Sequence, residues 1–390
     1  MKTDQNGFEV EIERILPGGM GLAHAQGKTV FVSLAAPGDR VRVRVEREQG
    51  NVLFAVIEEI VVPSSLRIEP PCPYFGRCGG CDFQQLGYEA QLAAKAEIIR
   101  DCLHRIARLE NIPEIVVTPS PKSWRYRTRA TWQIDQEERT IGYYERGSRV
   151  VCDVVDCAVL QPELQTELEN VRATSWHHFP PDLKHLDVVA GENGVSFAPA
   201  FAEFETKELS LTVRGEVYRY NAEAFFQINP SLLEPLIEFA LAGASGESAL
   251  DLYSGVGLFT LPLSRQFGKV LAVEANPRAV RFARRNLQDA GLANARVITA
   301  TVTDWFRSGS TGSADFVLLD PPRAGAESAV VKGILDLQPR AISYVSCDPA
   351  TLARDLKKLL AGGYLIEAVR GFDLFPQTHH VETVVRLESC

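Results

Sequence analysis

No run of apolar residues in this 390-residue chain approaches the roughly 18 that a membrane-spanning helix needs. The opening stretch, MKTDQNGFEVEIERI, contains no apolar core of the kind that marks a secretory signal. Net positive charge is lacking too: 41 Lys and Arg stand against 50 Asp and Glu, a formal net charge of -9. That balance gives no global pull toward nucleic acid, so any such contact has to come from local basic patches. Internal repeats and low-complexity tracts are also absent. A soluble, cytoplasmic monomer with no membrane partner is therefore expected. A disulfide framework is excluded by the same compartment, although eight cysteines are present. Cys72, Cys78 and Cys81 cluster, Cys152 and Cys157 lie further on, and Cys102, Cys347 and Cys390 stand apart. Clustered thiols in a reducing compartment point to metal or catalysis.

What is present has ordinary globular proportions, with 45% hydrophobic and 23% charged residues. At roughly 100–200 residues per domain, the length suggests two or three domains. Residues 7–61 alternate with period two, as in Phe8-Glu9-Val10-Glu11-Ile12 and Val41-Arg42-Val43-Arg44-Val45, and are broken by turns such as Pro17-Gly18-Gly19. Short strands so spaced predict a small antiparallel barrel. Val62 to Pro71, rich in proline and serine, reads as a linker. A helix is predicted near Tyr88 to Arg108, and a mostly strand-like, mixed stretch from about 115 to 220. From Pro230 onward strands alternate with helices: 249–253, 270–274, 296–300, 316–320 and 342–346, then 365–369 and 382–387. That alternation predicts a doubly wound parallel sheet. The fold class expected is α/β: a Rossmann-like domain at 223–390, preceded by a barrel at 1–62 and a central mixed α+β domain at 63–222.

Leu250-Asp251-Leu252-Tyr253-Ser254-Gly255-Val256-Gly257 ends a strand in a glycine turn before a helix. Gly255 and Gly257 let backbone pass close to a ligand at the carboxyl edge of the sheet. Glu274, 19 residues after Gly255, ends the next strand, where an acid can accept bonds from ribose hydroxyls. A nicotinamide dinucleotide would suit such a turn equally, but the third glycine of that motif is replaced by Thr260. Asp320-Pro321-Pro322-Arg323 makes a rigid turn at the same edge and favours a methyltransferase. Ser346-Cys347-Asp348-Pro349 places a thiol there, just before a helix start that should lower its pKa. A thiolate can add to carbon 6 of uracil and make carbon 5 electron-rich. Removal of the carbon 5 proton then needs a general base, for which Glu382 is the candidate and His380 a possible orienting group. Spacing alone leaves Glu382 open as an ordinary edge-strand carboxylate.

At these residues the chain resembles the RNA (uracil-5)-methyltransferase family, in its iron–sulfur and TRAM-containing 23S rRNA type. The matching motifs are Phe226-Gln227-Ile228-Asn229, Asp251-Leu252-Tyr253-Ser254-Gly255, Asp320-Pro321-Pro322-Arg323, Ser346-Cys347-Asp348-Pro349 and Phe375-Pro376-Gln377-Thr378 with His380 and Glu382. The resemblance implies that Gln227, Tyr253, Gly255, Glu274 and Asp320 bind S-adenosylmethionine, that Cys347 is the nucleophile and that Glu382 is the base. It implies that the barrel is a TRAM domain that binds RNA, with rRNA favoured over tRNA. An RNA cytosine-5 methyltransferase is a rival, but many carry Cys where this chain has Arg323. An N6-adenine enzyme needs no cysteine and usually has an aromatic after its Pro-Pro pair. A non-catalytic assembly factor that keeps the fold is the remaining alternative.

Cys72-x5-Cys78-x2-Cys81 supplies three thiolates, and Cys157 or Cys152 can complete four. Four thiolates suit a [4Fe–4S] cluster or zinc, and spacing does not choose. The resemblance implies the cluster, with Cys157 as the fourth ligand; a radical S-adenosylmethionine spacing is not present. Lys122, Arg125, Arg127 and Arg129 interleave with Trp124 and Tyr126, and Arg40, Arg42, Arg44 and Arg47 form a second strip. Basic groups with aromatics suit an RNA groove, from which a target base would be flipped into the site.

Overall fold

In Arg40–Gln49 the valines Val41 and Val43 are buried while Arg40, Arg42 and Arg44 face solvent, as a strand with one wet face requires. The computed structural model describes residues 7–309 and 313–390. Strands β1 (Phe8–Glu11), β2 (Arg14–Ile15), β3 (Gly21–Ala25), β4 (Lys28–Val32), β5 (Arg40–Gln49) and β6 (Val52–Val62) form one sheet in the order β1-β5-β6-β4-β3-β2. β1 and β2 are consecutive in the chain yet stand at opposite ends of that order. The sheet therefore rolls into a barrel around Val10, Ala23, Val30, Val41 and Val43. β4 and β6 pair in parallel, which corrects the expectation of a purely antiparallel barrel: the β5–β6 hairpin brings β6 beside β4 in the same direction. Residues 1–6, also assigned to this barrel from sequence, lie outside the described residues.

Residues 63–71 form neither strand nor helix, but they are no free linker. Arg67 Nη2 lies 2.6 Å from the buried Asp39 carboxylate and donates to Leu34 O. Helix α1 (Tyr88–Arg105) and strand β7 (Val116–Thr118) follow. Then β8 (Arg129–Asp135), β9 (Thr140–Tyr144), β10 (Val151–Asp153), β11 (His185–Gly191) and β12 (Gly194–Ala198) make an antiparallel sheet in the order β10-β9-β8-β11-β12. Helix α2 (Pro162–Ala173) interrupts that run, with Leu164, Leu168 and Val171 on its buried face; a mostly strand-like reading of this region missed it. β13 (Leu209–Val213) and β14 (Glu216–Tyr220) form a hairpin.

The large sheet takes β15 (Ser248–Leu252), β16 (Lys269–Glu274), β17 (Ala295–Thr299), β18 (Phe316–Leu319), β19 (Ala341–Ser346), β20 (Tyr364–Phe372) and β21 (Glu382–Ser389). Helices α3 (Leu233–Ala240), α4 (Thr260–Gln266), α5 (Pro277–Asp289), α6 (Val302–Arg307), α7 (Ser328–Leu337) and α8 (Pro349–Ala361) alternate with these strands. Its order is β17-β16-β15-β18-β19-β21-β20-β7, parallel from β17 to β19, with β21 reversed. Phe316 and Leu318 pack into one hydrophobic cluster and Val317 and Leu319 into another, so both faces are covered. β7 pairs in parallel with β20, so a strand from the 63–222 segment completes this sheet. α1 is tied to it as well: Lys95 and Asp373, both fully buried, bond to each other, and Lys95 also donates to Phe375 O at 3.0 Å.

Lys95→Met leaves the Asp373 carboxylate buried without its counter-charge, a loss expected to cost about 3–5 kcal/mol. Urea unfolding should show it, and Lys95→Met with Asp373→Leu should recover most of it. A single variant as stable as the parent would mean that this pair contributes nothing.

Candidate active site

β15, β16 and β18 end level with one another. Leu252 pairs with Val273 on one side and Leu319 on the other, so Tyr253, Glu274 and Asp320 occupy the next position along one carboxyl edge. Ligands of open α/β sheets bind at such an edge. The turn after β15 is wound left-handed at Tyr253 (φ 63), Gly255 (φ 55) and Gly257 (φ 97), and a Cβ on Gly257 would stand 3.2 Å from Leu261. One oxygen of Glu274 accepts from Gly255 N at 2.9 Å and the other from Asn276 N at 2.7 Å, which fixes the carboxylate before any ligand arrives. Its remaining lone pairs are still available as acceptors. Asn276 Nδ2 donates to Glu223 O at 3.5 Å and so holds the segment bearing the buried Gln227 beside this edge. Thr260, the residue that breaks the glycine motif, donates at 2.5 Å to Asp251, a buried acid that burial raises to about 7.

β19 and β21 run antiparallel with Ser346 paired to Thr383. Continuing that register sets Cys347 opposite Glu382, where β-carbons stand about 4.5–5.5 Å apart. Glu382 begins an interior strand and is only 2% exposed, so the edge-strand alternative does not apply. Its Oε1 has no hydrogen-bond partner. Burial pushes Glu382 well above the usual carboxylate range, the charge of Asp320 adds to this, and Arg323 opposes it. Asp320 is itself raised to about 7 by burial. The Cys347 thiol is pushed up to about 12, first by burial and then by the charges of Glu382 and Asp320, against Arg323.

A thiol acidified by a helix start is thus corrected to a thiol held neutral. The donors at the start of α8 are taken by the Asp348 carboxylate, which accepts from Ala350 N at 2.9 Å and Thr351 N at 3.0 Å. His380 is half-buried, which lowers it to about 3, and its ring rests against Phe375 and His379. Two residues to which the sequence assigns no role in the site stand out. Arg323 supplies the positive charge facing Cys347 and Glu382. Phe225 is 61% exposed between buried neighbours, with the Arg129 guanidinium 5.8 Å from its ring centre. The signal is an exposed aromatic between buried neighbours, and a run of two phenylalanines in the sequence does not say which faces out.

Residues 200–390 match the family described as tRNA (Uracil-5-)-methyltransferase, and residues 7–57 match the TRAM domain. An uncharacterized RNA methyltransferase of Thermotoga maritima is 34% identical over 97% of this chain and 98% of its own length. The chain belongs to the RNA uracil-5-methyltransferase family. Another relative, the 23S rRNA (uracil(1939)-C(5))-methyltransferase RlmD of Pseudomonas putida, is 34% identical over 97% of this chain and 93% of its own. The crystal structure of the Pyrococcus abyssi tRNA (uracil-54, C5)-methyltransferase in complex with S-adenosyl-L-homocysteine superposes with a TM-score of 0.74 at 26% identity. That superposition covers 97% of this chain and 100% of that one.

In this uracil-5-methyltransferase family member, Cys72, Cys78, Cys81 and Cys157 line one cavity together with Arg127 and Tyr143, and Cys152 is not among its walls. Among the described residues no group of three or more His, Cys, Asp or Glu stands ready to hold a metal ion. Burial raises Cys78 to about 11 and Cys81 to about 12. The first basic strip is largely scaffold. Arg129 donates to Ala222 O and Ala224 O, Arg125 binds Asp156 and Cys157 O, and the buried Tyr126 hydroxyl donates to Pro376 O. The buried alternates of that stretch are Tyr126, Thr128 and Ala130, while Lys122 and Arg125 reach solvent. The barrel arginines do face solvent, but Arg40, Arg42 and Arg44 each stand beside a glutamate, and Arg47 lies 4.0 Å over Phe54. Among the described residues no helix is long and apolar enough to cross a membrane.

Because only the thiolate reacts with alkylating agents, Cys347 should label slowly with iodoacetamide at pH 8 and speed up about tenfold per pH unit through pH 10. Peptide mass spectrometry reads the rate. Labelling that is fast and flat across that range would contradict a thiol raised to about 12.

Proposed function

We propose that this protein transfers the methyl group of S-adenosylmethionine to carbon 5 of a uridine in RNA through a covalent adduct at Cys347. The observation that carries the reading is the cross-strand placement of Cys347 against Glu382, at the edge that also presents Tyr253, Glu274 and Asp320. Gln227, Tyr253, Gly255, Glu274 and Asp320 would hold the donor, which supplies an electrophilic methyl group. The Cys347 thiol gives its proton to the facing Asp320–Glu382 pair, which passes it to solvent. The sulfur adds to carbon 6, and the electron pair of the C5–C6 double bond moves onto the ring carbonyl as an enolate. The enolate pair at carbon 5 would then bond to the methyl as the donor's S–CH3 bond breaks, its electrons staying on sulfur to leave a neutral thioether. Glu382 removes the remaining carbon 5 proton, the C5–C6 double bond reforms, and the C6–S pair returns to sulfur. A carboxylate whose basicity burial has raised, with an oxygen left free of partners, suits that last step.

23S rRNA is the favoured substrate, because the rRNA-modifying relative matches nearly the whole chain at 34% identity. The 26% identical tRNA-modifying structure keeps tRNA as the second reading. Phe225 offers a stacking face for an unpaired base. Cys72, Cys78, Cys81 and Cys157 would hold a [4Fe–4S] cluster that supports the fold and RNA docking. What supports this reading is that the four thiols line one cavity and that Arg127 Nε is buried there without a partner. Burial that keeps these thiols protonated means loading must release protons.

Radiolabelled donor and unmodified RNA test the activity. Cys347→Ala should abolish turnover while donor affinity stays near wild type, whereas Glu382→Gln should accumulate a methylated covalent RNA–protein complex. A few per cent of turnover in Cys347→Ala would sink the covalent route. RNA carrying 5-fluorouridine should trap wild-type protein, since fluorine cannot leave as a proton.

Protein purified without oxygen should be brown with about four irons per chain. Changing Cys72, Cys78, Cys81 or Cys157 to Ser should remove the colour, and Cys152→Ser should keep it. Colourless protein holding a single zinc would defeat the cluster.

A further inference from the structure

We infer that Asp82 and His379 are positioning residues for Glu382, an inference that rests on the reading of Glu382 as the base. Glu382 has no bond at Oε1 to aim it, so the course of the backbone that carries it matters for where its carboxylate lies. That backbone enters β21 from residues 373–381, and a second element grips the segment at two points. Gln377, wound left-handed at φ 69, accepts through its carbonyl from Asp82 N at 3.1 Å and Phe83 N at 3.0 Å. Two residues on, the Asp82 carboxylate takes His379 N at 2.8 Å with one oxygen and meets His379 Nδ1 at 2.5 Å with the other. A single side chain thereby fixes both the backbone and the ring of the residue three positions before Glu382.

The grip is itself anchored. Asp82 follows Cys81, whose carbonyl accepts from Arg146 Nη2 at 2.8 Å. From the barrel side, Gly19 backs the His379 ring so closely that a Cβ there would lie 3.0–3.1 Å from it. Gln91 of α1 closes the frame, accepting from Gln377 N and donating to Gln377 Oε1, both at 2.9 Å. Barrel, cysteine loop and α1 all meet the chain just upstream of Glu382.

A misplacement of about 1 Å costs an oriented reaction on the order of a hundredfold. The test uses full-length, iron-loaded protein with S-adenosylmethionine and an unmodified 23S rRNA transcript. Asp82→Ala should lower kcat about a hundredfold and accumulate the methylated covalent complex, with the donor KM, iron content and Tm near wild type. Asp82→Asn, which can keep both bonds, should retain most turnover. His379→Phe keeps the ring packing but loses the Nδ1 bond and should stall in the same way; it decides the matter if Asp82→Ala loses iron or fails to fold. Wild-type kcat in Asp82→Ala, or loss of activity without the complex in His379→Phe, overturns the positioning role while Glu382→Gln still stalls. Absence of the complex in Glu382→Gln removes the base reading and this inference with it.

Discussion

An antiparallel strand set into a parallel sheet begins at the edge where its neighbours finish. β21 is that strand, reversed between β19 and β20. Its first residue, Glu382, therefore meets the residue just past the end of β19, Cys347, although 34 positions lie between them in the chain. The parallel strands β15, β16 and β18 deliver Tyr253, Glu274 and Asp320 to the same edge. One reversal of direction joins a side chain pair suited to attack and proton removal with a pocket suited to a nucleoside-bearing donor. Had β21 run parallel, Glu382 would sit at the far edge of the sheet, about 20 Å from the thiol at roughly 3.3 Å per residue.

That geometry sets the electrostatics. Asp320 and Glu382 share the crevice with the thiol, and Asp251 lies behind it. Burial raises all four groups, and Arg323 opposes the rise at Cys347 and Glu382. Crowded acids in a poorly solvated site cannot all ionise, so protons stay and exchange among them. A site for moving protons on and off sulfur and carbon gains from such a reserve more than from a permanently charged thiolate. Expecting an acidified thiol from the helix start counted one favourable dipole and left out the burial and the carboxylates that the fold brings opposite it.

Local patterns were legible and long-range ones were not. The valines and arginines of β5 declare a one-faced strand, and the apolar runs of β15, β18 and β19 declare strands buried on both faces. Pro277 and Pro349 mark helix starts that Asn276 and Asp348 cap. The glycine turn, Asp320-Pro321-Pro322 and Cys347-Asp348-Pro349 are local in the same sense. That β7 completes the large sheet, that Glu382 is interior, or that β6 runs parallel to β4 depends on contacts between distant segments. Arg127 and Arg129 show the cost of reading charge as exposure: the one lines a cavity and the other bonds the buried carbonyls of Ala222 and Ala224.

RNA binding by an acidic protein then has to be explained from the surface that remains. On the barrel, Arg42 and Arg44 face Glu59 and Glu58 across the β5–β6 pairing, with side chains about half exposed. Exposed ion pairs of this kind are worth at most about 1 kcal/mol. A phosphate can therefore displace a glutamate oxygen at small cost, and the geometry that aligns the guanidinium is already built. The glutamates lower the attraction of these arginines for anions in general. A backbone that presents phosphates at the right spacing overcomes that competition through several contacts at once, while a scattered anion does not. Such exchange makes affinity strongly salt-dependent, since each phosphate contact also releases condensed counterions.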